Sequence, residues 1–186
     1  YDHVKPIRQR WFGCACCPPN IARVLTSIGH YLYTPREDAL YINIYAGNSM
    51  EVPVENGTLR LRVSGNYPWQ EQVTIAVESP QPVRHTLALR LPDWCTQPQI
   101  ILNGEEVEQD IRKGYLHITR EWQEGDMLNL TLPMPVRRVY GNPLVRHVAG
   151  KVAIQRGPLV YCLEHADNGE SLHNLWLPAD APFTTF

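Results

Sequence analysis

At 186 residues the chain is long enough for one substantial domain or two small ones, each with a real core, and it needs no disulfide scaffold. A formal net charge of -2, with Lys and Arg scattered rather than in runs, removes the electrostatic case for nucleic acid or an anionic membrane. A neutral or weakly charged ligand is the expectation.

The first residues, Tyr1-Asp2-His3-Val4-Lys5-Pro6, do not resemble a signal peptide, and no apolar run approaches the length of a membrane span. Next comes the densest chemistry of the chain: Trp11-Phe12-Gly13-Cys14-Ala15-Cys16-Cys17-Pro18-Pro19-Asn20. Neighbouring cysteines make poor disulfide partners, because the bridge needs a Cα separation and dihedral that a trans Cys-Cys peptide barely allows. Metal binding or a reactive thiolate is the better reading. Proline is favoured in the first turn of a helix, so Pro18 and Pro19 place Cys16 and Cys17 at a helix entrance. Unpaired amides and the positive end of the dipole favour negative charge there, and hence a thiolate over a thiol.

From about residue 19 to 33, Ile21, Val24, Leu25, Ile28, Tyr31 and Leu32 recur at the spacing of one helical face, with Asn20 as a candidate cap. Gly29 weakens the end of this helix and Pro35 closes it. The period then changes to short alternating or apolar runs separated by Gly, Pro, Asn and Asp. Strands are predicted at 39–45, 49–54, 57–63, 72–77, 84–91, 99–102, 115–119, 127–132, 136–140, 151–156 and 159–163. Such spacing indicates a mainly β, antiparallel sandwich or jelly-roll preceded by one helix. Asn103-Gly104 predicts a hairpin over 100–107, and 122–126 reads as another turn. Pro133, Pro135, Gly141, Asn142 and Pro143 mark a boundary near 133–143. The division is thus 1–34, a helical segment with the cysteines; 35–136, a β-sandwich; and 137–186, the start of a second one.

For the three clustered cysteines the plain alternative is burial as small apolar residues. Zinc is the leading functional reading, since thiolates are its preferred soft ligands, though at least one ligand must come from elsewhere. The histidines stand singly and read as surface or capping residues. Trp69 in Tyr67-Pro68-Trp69 and Trp94 in Pro92-Asp93-Trp94 could stack on sugars, but plugging the edge of a sandwich core is the favoured reading. Glu105, Glu106, Glu108 and Asp110 read as a solvated face, and no carboxylate pair stands out as the acid/base couple of a conventional glycosidase. Five cysteines, odd in number and unevenly placed, suit a reducing cytoplasm better than a secreted framework.

Phe12-x-Cys14-x-Cys16-Cys17-Pro18-Pro19-Asn20 resembles the signature of glycoside hydrolase family 127, typified by bacterial β-L-arabinofuranosidase. Weaker matches are Tyr67-Pro68-Trp69, Leu91-Pro92-x-Trp94, Gly114-Tyr115-Leu116, Leu132-Pro133-Met134-Pro135 and 155–161. The resemblance implies an upstream (α/α)6 barrel that carries catalysis, of which the first helix here is the last part, followed by β-sandwich domains. It implies Cys16 as nucleophile, Cys16 and Cys17 as zinc ligands, and an upstream glutamate and cysteine completing the metal site. An upstream glutamate is also implied as general acid/base, and Cys14 has no assigned role. The expected activity is retaining release of a terminal β-linked L-arabinofuranose or related sugar, with this chain inactive alone. The expected partners are the barrel domain and the terminal sugar of a glycan, with a homodimer left open and neither nucleic acid nor membrane. The alternative is a non-catalytic carbohydrate-binding or architectural β-sandwich module.

Overall fold

The computed structural model describes residues 10, 14 and 16–185, so Trp11, Phe12, Gly13 and Ala15 of the cysteine motif lie outside the described residues. Helix α1 (Cys17–Ser27) begins at the cysteines, and a short α2 (Gly29–Leu32) follows. The expected single helix is thus broken at Ile28. Thr26 and Ser27 turn their hydroxyls back onto carbonyls of the preceding turn, and Gly29 follows at once. Tyr33, expected in the helix, instead opens strand β1 (Tyr33–Pro35), where its hydroxyl donates to Asn48 Oδ1 at 2.7 Å.

The remaining strands fall close to the predicted runs: β2 (Ala39–Ile42), β3 (Asn48–Val54), β4 (Gly57–Gly65), β5 (Gln72–Val77) and β6 (Val83–Arg90). They continue as β7 (Gln99–Leu102), β8 (Glu105–Glu106), β9 (Ile111–Arg112), β10 (Tyr115–Trp122) and β11 (Met127–Thr131). Last come β12 (Val136–Tyr140), β13 (Val152–Arg156), β14 (Leu159–Tyr161) and a one-turn helix α3 (His165–Asn168). β8 and β9 are too short to leave a periodic signal.

Three sheets result, ordered β1-β2-β6-β10-β9, β3-β4-β5-β11-β7-β8, and β12-β13-β14. Pairing is antiparallel with one departure from expectation: β2 runs parallel to β6, Ala39 lying beside Thr86. The chain leaves the first sheet after β2, builds β3, β4 and β5 in the second, and returns with β6. That return fixes the direction of the pair.

Alternation along most strands sends one set of side chains inward, β2 and β6 also burying neighbours on their other face, and the first two sheets pack face to face over a shared core. Leu40, Ile42, Leu87, Leu89 and Leu116 from one sheet meet Leu59, Leu61, Ile75, Leu128 and Leu130 from the other, all with no measurable exposure. Each such side chain contributes about 1.5–3 kcal/mol by leaving water. Trp122, expected in a turn, ends β10 fully buried and donates its indole N–H to the His85 carbonyl at 3.0 Å. His85 is itself buried, against the expectation of a surface histidine.

The Asn103-Gly104 turn forms as expected, with φ of 53° and 93°, the left-handed pair that lets two residues join β7 to β8. Asn103 also spans to the neighbouring turn. Its Nδ2 donates to the buried Asp126 at 2.7 Å, its Oδ1 accepts from Met127 N at 2.8 Å, and Asp126 accepts from Gln123 N at 2.9 Å.

Candidate active site

Cys16 caps α1 and Cys17 is its first residue. Cys16 has helical angles, φ -72° and ψ -35°, so the two thiols follow the helical turn and their sulfurs lie 3.8 Å apart. Cys14, Cys16 and Cys17 are all exposed. Pro18 and Pro19 sit in the first turn as expected, but they have a cost for an anion there. They lack N–H groups, so the amides that usually greet negative charge at a helix start are reduced to those of Cys16 and Cys17.

Asn20 is not the cap. It lies within the first turn and turns its side chain back, Nδ2 donating to the Cys16 carbonyl at 2.8 Å, while Asn20 N reaches the same oxygen at 3.3 Å. Arg23 in turn donates to Asn20 Oδ1 at 2.6 Å. The backbone of Cys16 is therefore held by a side-chain relay spaced i, i+4 and then i+3. Sequence reasoning missed this relay, although the spacing of Asn20 and Arg23 on one helical face was its available signal.

Two thiolates bound to one tetrahedral zinc with metal–sulfur bonds of about 2.3 Å would stand about 3.8 Å apart. The Cys16–Cys17 separation has that value. Among the described residues no third Cys, His, Asp or Glu joins them in a cluster able to hold a metal. On the same helix the apolar face stays uncovered, with Ile21 61% and Leu25 64% exposed, and no residue of α1 is buried.

The other candidates separate. Cys95 is buried against the sandwich core, where burial pushes its thiol up, aided by nearby Glu71 against an opposing backbone hydrogen bond at Gln97. Cys162 is exposed and far along the chain from the pair. Trp94 packs partly buried against the core, as expected of a plug, but Trp69 is 63% exposed and plugs nothing. Glu105, Glu106, Glu108 and Asp110 form the expected solvated face. No helix among the described residues is long and apolar enough to cross a membrane.

The sandwich and the segment that follows it match a known family. Residues 39–134 match the profile of the middle domain of the GH127 β-L-arabinofuranosidases, and residues 136–185 match that of the glycoside hydrolase family 127 C-terminal domain. The chain belongs to glycoside hydrolase family 127. It is 34% identical over 176 residues to the non-reducing end β-L-arabinofuranosidase of Bifidobacterium longum subsp. longum, covering 92% of this chain and 27% of that protein. The fold is similar, at a TM-score of 0.90 and 48% identity, to a GH127 β-L-arabinofuranosidase from Geobacillus stearothermophilus T6, over 97% of this chain and 29% of that one. A further glycoside hydrolase structure matches at a TM-score of 0.82 and 33% identity, over 94% of this chain and 31% of its own. The chain thus spans about a third or less of the length of these relatives.

Proposed function

We propose that this chain forms part of a retaining glycoside hydrolase that releases a terminal β-linked L-arabinofuranose or related sugar, with Cys16 as the nucleophile. The observation that carries the reading is the pair of exposed sulfurs 3.8 Å apart at the entrance of α1, in a chain of this family. Cys16 and Cys17 would hold zinc, and zinc when bound supplies the positive charge that keeps thiols as thiolates at neutral pH. That charge matters here because Pro18 and Pro19 leave the helix start short of amide donors.

In the first step the Cys16 sulfur attacks the anomeric carbon. A carbon–sulfur bond forms as the glycosidic carbon–oxygen bond breaks, and the departing oxygen takes a proton from a carboxylic acid outside the described residues. Water then attacks the same carbon, its proton returns to that carboxylate, and the carbon–sulfur bond breaks, so the sugar leaves with its configuration retained. Asn20 and Arg23 keep the Cys16 backbone fixed while its side chain changes partner. Cys17 has the steadier task of anchoring the metal.

In this reading residues 35–136 and 137–186 take no part in the chemical steps. The core of residues 35–136 closes without any contribution from α1, whose bare apolar face fits the upstream helical barrel as its partner. A homodimer and a cytoplasmic location remain part of the same proposal, the latter supported by five unpaired cysteines. The test is made in the longer protein that carries this chain, with a β-L-arabinofuranoside as substrate. Cys16→Ser should lower turnover by roughly 10³-fold or more, as for other nucleophile removals, while Cys17→Ser should cut bound zinc. Near-normal turnover by Cys16→Ser overturns the assignment. Turnover by the present chain alone overturns its dependence on groups supplied from elsewhere.

A further inference from the structure

The turn that exposes Trp69 is built rigidly. Trp69 N and Gln70 N both donate to the Asn66 carbonyl, at 2.8 and 2.9 Å, and β5 begins two residues later. From the third sheet Arg156, at the end of β13, donates to the Trp69 carbonyl at 3.0 Å and lies 3.6 Å from Glu71 Oε1. The same Oε1 accepts from Met134 N at 2.8 Å. Between this turn and the third sheet lies a recess of about 790 Å³, whose walls include Trp69, Glu71, Gln72, Arg156, Tyr161 and Phe183. Phe183 is held in place by the Arg138 guanidinium, 4.3 Å from its ring centre.

Three properties of these walls select a ligand. The volume falls within the ordinary range for small-molecule sites. Arg156 and Glu71 are the charged groups of the lining and face each other, so their charges cancel and an anion gains nothing by entering. The exposed indole offers a flat apolar face whose negative quadrupole attracts polarised C–H bonds. Around it the unused N–H groups of Arg156, the second oxygen of Glu71 and the amide of Gln72 can meet hydroxyls. A flat C–H face ringed with hydroxyls is the surface of a neutral sugar.

We propose that this recess binds a neutral oligosaccharide, stacked on Trp69 and hydrogen-bonded to Arg156 and Glu71. It uses none of the residues assigned to the Cys16–Cys17 pair, so the two readings fail independently. The test is a titration of the isotopically labelled 186-residue chain with arabino-oligosaccharides of defined length, and with cello-oligosaccharides as a second probe, followed by NMR and calorimetry. Saturable shifts of the Trp69 indole N–H and the Arg156 side chain are expected. Trp69→Ala should bind about tenfold more weakly, and Trp69→Phe should recover part of the loss. Because Trp69 contributes little to the core, the variant should keep the parent's amide spectrum. Absence of any Trp69 shift with both probes overturns the proposal. So does equal affinity in Trp69→Ala, or binding that shifts other surfaces and leaves this one unchanged.

Discussion

His85 shows how one buried side chain sets a condition on the whole fold. It lies on the same face of β6 as Val83, Leu87 and Leu89, is 6% exposed, and its Nε2 has no hydrogen-bond partner among the described residues. Burial holds the imidazole below its ordinary range, against the opposing pull of Asp38 and a backbone hydrogen bond at Ala39. The unfolded chain takes up a proton near pH 6.5 that the folded chain resists. Stability from this residue is therefore complete above about pH 6.5 and is lost as pH falls below it. Melting temperatures measured from pH 8 down to pH 5 should fall across the lower half of that range, and His85→Phe should flatten the decline. An unchanged slope in the variant would place the acid sensitivity elsewhere.

At the scale of elements, the turns hold more than they reveal in sequence. Asn103 supplies the left-handed turn residue and also ties that turn to Asp126 and Met127. Asn103→Ala forces a poorer residue into positive φ and leaves the buried Asp126 short of a donor, which together should cost about 2–3 kcal/mol in a urea unfolding series. Asn103→Gly restores the backbone but not the bridge, so its loss should be smaller. The Asn-Gly hairpin was legible because its signal is local. Trp122 was not: Gln123, Glu124, Gly125 and Asp126 spell a turn, whereas the indole is buried in the sandwich core and finds a partner for its N–H only in the His85 carbonyl, distant in sequence. Trp69 was misjudged for the converse reason. Its neighbours look like a strand end, and the turn that carries it is tied through its main-chain carbonyl to Arg156 of the third sheet, a long-range contact that sequence periodicity does not reveal.

For the whole molecule, the two-sheet core was legible in the alternation of its strands, since each inward set had to be buried somewhere. The thiol pair was legible from its spacing to two prolines and a helix. What accompanies the pair was not, because no third ligating residue joins it among the described residues. The exposed apolar stripe that runs along α1 and α2, from Ile21 to Tyr31, follows from the same division: the sandwich satisfies its own apolar faces and leaves that of the helices open.

The parallel pairing of β2 with β6 bears on the order in which the molecule assembles. β3, β4 and β5 join successive neighbours through short turns, whereas β2 must wait for β6 to be reached from the far side of the second sheet. Closing so long a loop costs entropy before any contact repays it, so such pairings form late and slowly. Pulse-labelled hydrogen exchange during refolding should find amides of β3 and β4 protected before those of β2. Simultaneous protection would refute that order. The helix bearing Cys16 and Cys17 joins the sandwich through β1 and β2, and so its thiols gain a fixed place only at the end of folding.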